Sequence, residues 1–131
     1  MRRRNRGPDQ LQNRNDARGS AGIHPEPLEE FVNRNFAVDF VDHGADVPPG
    51  TPPGPAGAIQ YVSGALKRFP DLRVQIEDMI AEDDKVVVRN QWTATDSQSG
   101  KRLAFRGIVI WRIAGRKIVE RWAYLEAAHE A

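Results

Sequence analysis

The sequence predicts an α+β fold, and three observations predict it. Two short amphipathic helical stripes come first, a series of alternating apolar segments follows, and polar turns join those segments in consecutive antiparallel order. Helices gathered ahead of a strand meander pack on one face of an antiparallel sheet; regular alternation of strands and helices would instead argue a parallel one. At 131 residues a single core is expected.

Residues 1–22 carry six Arg against two Asp and only Leu11 to bury. They are expected to be a flexible basic extension, because so little apolar surface cannot offset the entropy of ordering. The domain is expected over 23–131. His24-Pro25-Glu26-Pro27 opens a helix whose stripe is Leu28, Phe31, Val32, Asn35 and Phe36. Ala37–His43 leaves it as a short extended or turn segment. Val47–Gly57 is a proline-rich, stiff connection, either a structural linker or a lid over a pocket. The spacing of Ile59, Val62, Leu66 and Phe69 predicts a second helix over Ala58–Phe69, stopped by Pro70.

Four consecutive strands follow. Leu72–Ile80 alternates with Leu72, Val74 and Ile76 inward, Glu82-Asp83-Asp84 turns, and Lys85–Thr95 is a longer strand. Gly100–Glu126 is a hairpin turning at Ala114-Gly115-Arg116. Side chains alternate across a strand. In the first arm Leu103, Phe105, Val109 and Trp111 therefore share one face, and Arg106, Ile108, Ile110 and Arg112 share the other. In the second arm a straight strand puts Ile118, Glu120, Trp122, Tyr124 and Glu126 on one side. A carboxylate thus stands beside two large aromatics near the end of the chain.

Composition removes several function classes. There is no cysteine, which excludes disulfides and thiol chemistry and fits a cytoplasmic protein. The three histidines, His24, His43 and His129, have no metal-ligand spacing, so no metal site is expected. No apolar run approaches a membrane span and no apolar signal core follows the N-terminal arginines, so neither membrane insertion nor export is expected. Residues 23–131 hold 13 Lys+Arg against 16 Asp+Glu, which disfavours a nucleic-acid partner for the domain.

Three segments carry a family resemblance: FAVDFVDHG (36–44), RFPDLRVQIEDMIAEDDKVVVR (68–89) and GKRLAFRGIVIWRIAGRKIVERW (100–122). In order and spacing they resemble the SnoaL-like polyketide cyclases, also called predicted ester cyclases, of the nuclear transport factor 2-like superfamily. The resemblance covers roughly residues 27–126. It implies a cone-shaped, curved antiparallel sheet wrapped around helices, with an atypical or missing first helix here. It also implies an intramolecular aldol ring closure that uses no metal or organic cofactor, on a small apolar, aromatic or polyketide-type molecule, and it implies a homodimer.

The resemblance places the general acid/base four positions after Trp122, at Glu126, where the family usually has Asp. His43 matches a histidine that lines the family pocket and is the second catalytic candidate, able to polarise a substrate carbonyl or hydrogen-bond a hydroxyl; an ordinary loop histidine is the alternative. The chain departs from the family at Ala123 (usually acidic), at Arg121 (usually His) and at Ala94-Thr95-Asp96 (usually Gly-Thr-His). A buried carboxyl can take a proton from a carbon between two carbonyls and return it to the new alkoxide. Glu126 can equally be a solvated residue near the chain end. Trp122, Tyr124, Asn90 and Trp92 are the candidate substrate-binding walls, and Arg89 and Arg112 are expected in salt bridges on the outer sheet surface. Two classes stay open: a cofactor-free cyclase, with isomerase or epoxide hydrolase as neighbours, and a non-catalytic binding or dimerisation member of the superfamily.

Overall fold

A computed structural model of the chain describes residues 26–131. The expectations for residues 1–22, and for a first helix, lie outside the described residues. Helix α1, Leu28–Asn35, has Glu29 and Glu30 in its first turn and Arg34 in its last, the arrangement the helix dipole favours. It passes without a loop into strand β1, Phe36–Asp42. Phe36, assigned by periodicity to the helix, is therefore the first strand residue.

Helix α2 spans Gly54–Arg68 and starts four residues before the expected Ala58. The proline-rich stretch feeds it directly: Pro55 sits in the first turn, where its missing N–H costs nothing. Gly57 lies against the Pro52 carbonyl, with no room for a side chain. At the other end Arg68 grips Asp96 with Nε–Oδ1 at 3.0 Å and Nη2–Oδ2 at 2.9 Å, and the Ser97 N–H donates to the Arg68 carbonyl. The Arg68 bonds, with the Gln98 backbone N–H, hold the Asp96 carboxyl well below the usual carboxylate range.

The strands β2 (Arg73–Glu82), β3 (Lys85–Thr95), β4 (Arg102–Ala114) and β5 (Lys117–Leu125) form the expected antiparallel meander. Gly115 and Arg116 both have positive φ, +58° and +66°, the two-residue turn whose twist suits a hairpin. Two strands were not expected. β1 pairs in parallel with β5, and a short β6 (His129–Glu130) pairs with β4. The order is β1-β5-β4-β3-β2, an open sheet with β6 to one side.

β5 does not run straight. Arg112 faces Glu120 but Ile113 faces Ile118, so Val119 is an extra residue. This bulge turns Ile118 away from the face of Glu120 and Trp122, correcting the straight-strand expectation. Ile118 packs instead against the core of Val32, Phe40 and Ala58, with Leu28, Phe36 and Ile59. A second bulge lies at Glu77 in β2. Among the described residues no helix is long and apolar enough to cross a membrane.

Candidate active site

The register divides the sheet's side chains between two faces. On one, Asn90, Trp92, Phe105, Val109, Trp111, Arg121 and Ala123 point the same way as α2. On the other, three rows cross from β2 to β5: Asp78–Arg89–Ile108–Tyr124, Ile80–Val87–Ile110–Trp122 and Glu82–Lys85–Arg112–Glu120. We call these the helix face and the open face. An apolar band crosses the open face, with charged groups on both sides of it.

Glu126 follows the last residue of β5 on the open face. Its N–H donates to the Arg106 carbonyl at 2.9 Å. Its Oε2 accepts from the Arg106 backbone N–H at 3.1 Å and from Arg106 Nε at 3.2 Å. Oε1 makes no hydrogen bond among the described residues. Arg106 holds the Glu126 carboxyl below its ordinary range, so it is a carboxylate at neutral pH and not the buried carboxyl of raised proton affinity that the aldol reading expected. The side chain is 38 % exposed and borders an open groove of about 300 Å³ with Ile108, Tyr124, Arg89, Arg106 and Glu77. Leu125 fills the space where Gly107 has no side chain, which keeps β4 and β5 closely apposed under the groove. Tyr124 is 65 % exposed.

His43 lies just beyond β1 and is delivered by the parallel pairing: its N–H donates to the Arg121 carbonyl at 2.7 Å. The ring stacks on Trp122, centroids 5.1 Å apart and planes 16° from parallel. Its Nε2 meets Glu120 Oε2 at 2.8 Å, while Glu120 Oε1 accepts from Arg112 Nε at 2.5 Å. His43 and Arg112 together hold the Glu120 carboxyl below its usual range.

The open face therefore brings together Glu126, Tyr124, Trp122 and His43, and leaves out Asn90 and Trp92. Those two lie on the helix face, where Trp92 stacks on Phe105 at 5.2 Å. Asn90 is 7 % exposed, and its Oδ1 has no hydrogen-bond partner among the described residues. Arg89 and Arg112 form the expected surface pairs, with Asp78 and Glu77 and with Glu120.

A cluster that sequence reasoning missed occupies the helix face. Arg121, 7 % exposed, donates to Asp42 at 2.9 Å and to Asp46 at 2.8 Å. The guanidinium lies between the Tyr61 ring at 5.3 Å and the Trp111 ring at 5.8 Å, and the Tyr61 hydroxyl donates to Asp46. Burial alone would push the Arg121 proton off and that of Asp46 on. The ion pairs reverse both tendencies, so both stay charged. Burial and the neighbouring carboxylate keep Tyr61 protonated. Chain separations of 75 and 79 residues hide this cluster from any local pattern. Among the described residues no group of three or more His, Cys, Asp or Glu could hold a metal ion.

The family model for SnoaL-like polyketide cyclases matches residues 24–129. The chain belongs to this family. Among solved structures, it is 30 % identical to a protein of Bacillus cereus provisionally named a polyketide cyclase. That match has a TM-score of 0.65 and covers 75 % of this chain and 63 % of the other, so the chain spans under two thirds of that protein. AclR of Streptomyces galilaeus, provisionally named a hydroxylase, is 26 % identical over 71 % of this chain and 72 % of its own, with a TM-score of 0.59. IdmH of Streptomyces antibioticus, provisionally named a polyketide cyclase, covers 90 % of each chain at 23 % identity and TM-score 0.65 and supports the fold alone. No curated protein matches. The SnoaL-like fold is thus present with two described helices against an open, bulged sheet.

Proposed function

We propose that the chain is a cofactor-independent, cyclase-type enzyme that closes a ring by intramolecular aldol addition on a flat aromatic or polyketide-type substrate. The observation that carries this reading is the placement of Glu126: an ionised carboxylate with one oxygen unbonded among the described residues, bordering the groove of Ile108 and Tyr124, beside a guanidinium. Oε1 takes the proton from a carbon between two carbonyls. The enolate carbon bonds to a nearby carbonyl carbon, and the resulting alkoxide recovers the proton from Glu126. Arg106 lies where negative charge develops and stabilises it. The step is redox-neutral and consumes no co-reactant.

Trp122 and Tyr124 offer flat surface to the substrate rings. Glu126 is four residues beyond Trp122, about 13 Å at the usual strand rise. His43, stacked on Trp122, therefore binds the far end of the substrate and takes no part in the proton transfer at Glu126. A homodimer would use the β2 side of the same face, where Ile80 is well exposed beside Val87, and would leave β5 and β1 for the substrate. Trp111 is not on that surface: it packs edge-on against Phe36 on the helix face.

The test is ring closure of synthetic aromatic poly-β-ketones, followed by chromatography and mass. Wild-type protein should give a cyclised isomer or its dehydration product, and Glu126→Gln should not. Equal conversion by both would remove Glu126 from the chemistry. Binding without conversion would favour the non-catalytic alternative.

A further inference from the structure

We propose that Glu120 is a positioning residue for His43, and that it makes the His43 Nδ1 an acceptor for a hydroxyl group of the substrate. The inference rests on the reading of His43 as a substrate-binding group and goes beyond it in naming the controlling residue and the group recognised.

Three contacts define the imidazole. The Trp122 ring covers one of its faces, Glu120 Oε2 takes Nε2 at 2.8 Å, and the backbone N–H of His43 is anchored on Arg121. Glu120 is itself fixed from behind: Arg112 Nε donates to its other oxygen, and Arg112 Nη1 lies 3.7 Å from Asp84. The chain Asp84–Arg112–Glu120–His43 thus runs from the β2–β3 turn across the end of the sheet. An ionised carboxylate only accepts, so Nε2 must carry the hydrogen. The neutral ring then has its lone pair on Nδ1, and Nδ1 makes no hydrogen bond among the described residues. A nitrogen with a lone pair cannot polarise a carbonyl by donation; it selects a donor. On an aromatic substrate that donor is a phenolic or enolic hydroxyl.

The tautomer can be read without any substrate, so this test is independent of whether ring closure is ever observed. The full chain is labelled with ¹⁵N, and the long-range ¹H–¹⁵N correlations of its imidazoles are recorded at a pH where the ring is neutral. A His43→Gln variant assigns the signals. Wild-type His43 should carry its proton on Nε2. In Glu120→Gln, Arg112 keeps the carbonyl oxygen, the amide NH₂ faces Nε2, and the proton should move to Nδ1. Glu120→Ala, which has no partner to offer, should give a mixture. An Nδ1–H tautomer in the wild type, or a tautomer unchanged in both variants, overturns the positioning role. For the group recognised, the probes are 2,6-dihydroxyanthraquinone, whose hydroxyls lie away from the quinone carbonyls and are free to donate, and its dimethyl ether. Wild type should prefer the hydroxyl form by roughly 3–10-fold, the worth of one hydrogen bond, and Glu120→Gln should lose that preference. No preference in the wild type overturns the hydroxyl assignment.

Discussion

The two faces of the sheet hold arginine–carboxylate groups that look alike on paper and do different work. On the helix face Arg121 is enclosed by Asp42, Asp46, Tyr61 and Trp111, and links β5, the loop after β1 and α2. On the open face Arg106 meets Glu126 at 3.2 Å with both side chains in contact with water. Breaking a buried pair strands a charge away from water, whereas an exposed pair is worth about 1 kcal/mol or less. The buried group is a lock. The exposed one can exchange its partner at little cost, as the general-base role proposed for Glu126 requires.

The largest expected effect is on chemistry. Glu126→Gln keeps shape and most hydrogen bonding but cannot carry the proton; turnover should fall roughly 10²–10⁴-fold, with the melting temperature nearly unchanged. A large loss of stability would mean that the open face is structural too, and the contrast would fail. On the other side, Asp46→Asn leaves Arg121 with one carboxylate and weakens the acceptor of Tyr61. Thermal unfolding should register a loss of about 2 kcal/mol, roughly 8 °C in Tm, without a matching loss of kcat per folded molecule.

Acid sensitivity sharpens the comparison. The folded-state value of Asp46 lies below its unfolded value, so its stabilisation is complete above about pH 4 and is lost as pH falls through the folded value. Asp96, held by Arg68, has the same sign. Urea midpoints should therefore fall below about pH 4, and Asp46→Asn should flatten that fall. A pH slope unchanged in Asp46→Asn would take the cluster out of the account. The smallest effect concerns assembly: Ile80→Glu should turn a dimer into a monomer in sedimentation at about 10–50 μM, a range suited to weak interfaces, without unfolding the chain. A wild type already monomeric there would refute the proposed pairing.

What the sequence made legible was local. The β3 boundaries, the β4–β5 turn and the shared face of Trp122, Tyr124 and Glu126 follow from alternation and turn chemistry. Alternation also separates Asn90 from Trp122, but only once the β3–β4–β5 register is known, because parity within one strand says nothing of the neighbour's phase. Ile118 escaped for a related reason: one extra residue at Val119 reverses the phase, and no residue type there announces a bulge. The contact of His43 with Glu120 depends on the parallel pairing of β1 with β5, between segments separated by most of the domain. Arg121 was visible only as a departure from the family's usual histidine; its partners Asp42, Asp46 and Tyr61 come from the end of β1, the loop after it and α2, and no local spacing brings them together.

The most direct measurement makes the same substitution on each face. Arg121→Gln and Arg106→Gln remove one guanidinium each and leave carboxylates behind, and thermal unfolding of the two variants compares them at equal chemistry. The expected loss is about 3–5 kcal/mol for Arg121→Gln, roughly 10–20 °C in Tm, and less than about 4 °C for Arg106→Gln. Equal losses, or a larger one for Arg106→Gln, would contradict the division of the sheet into a face that locks the fold and a face that is free to act.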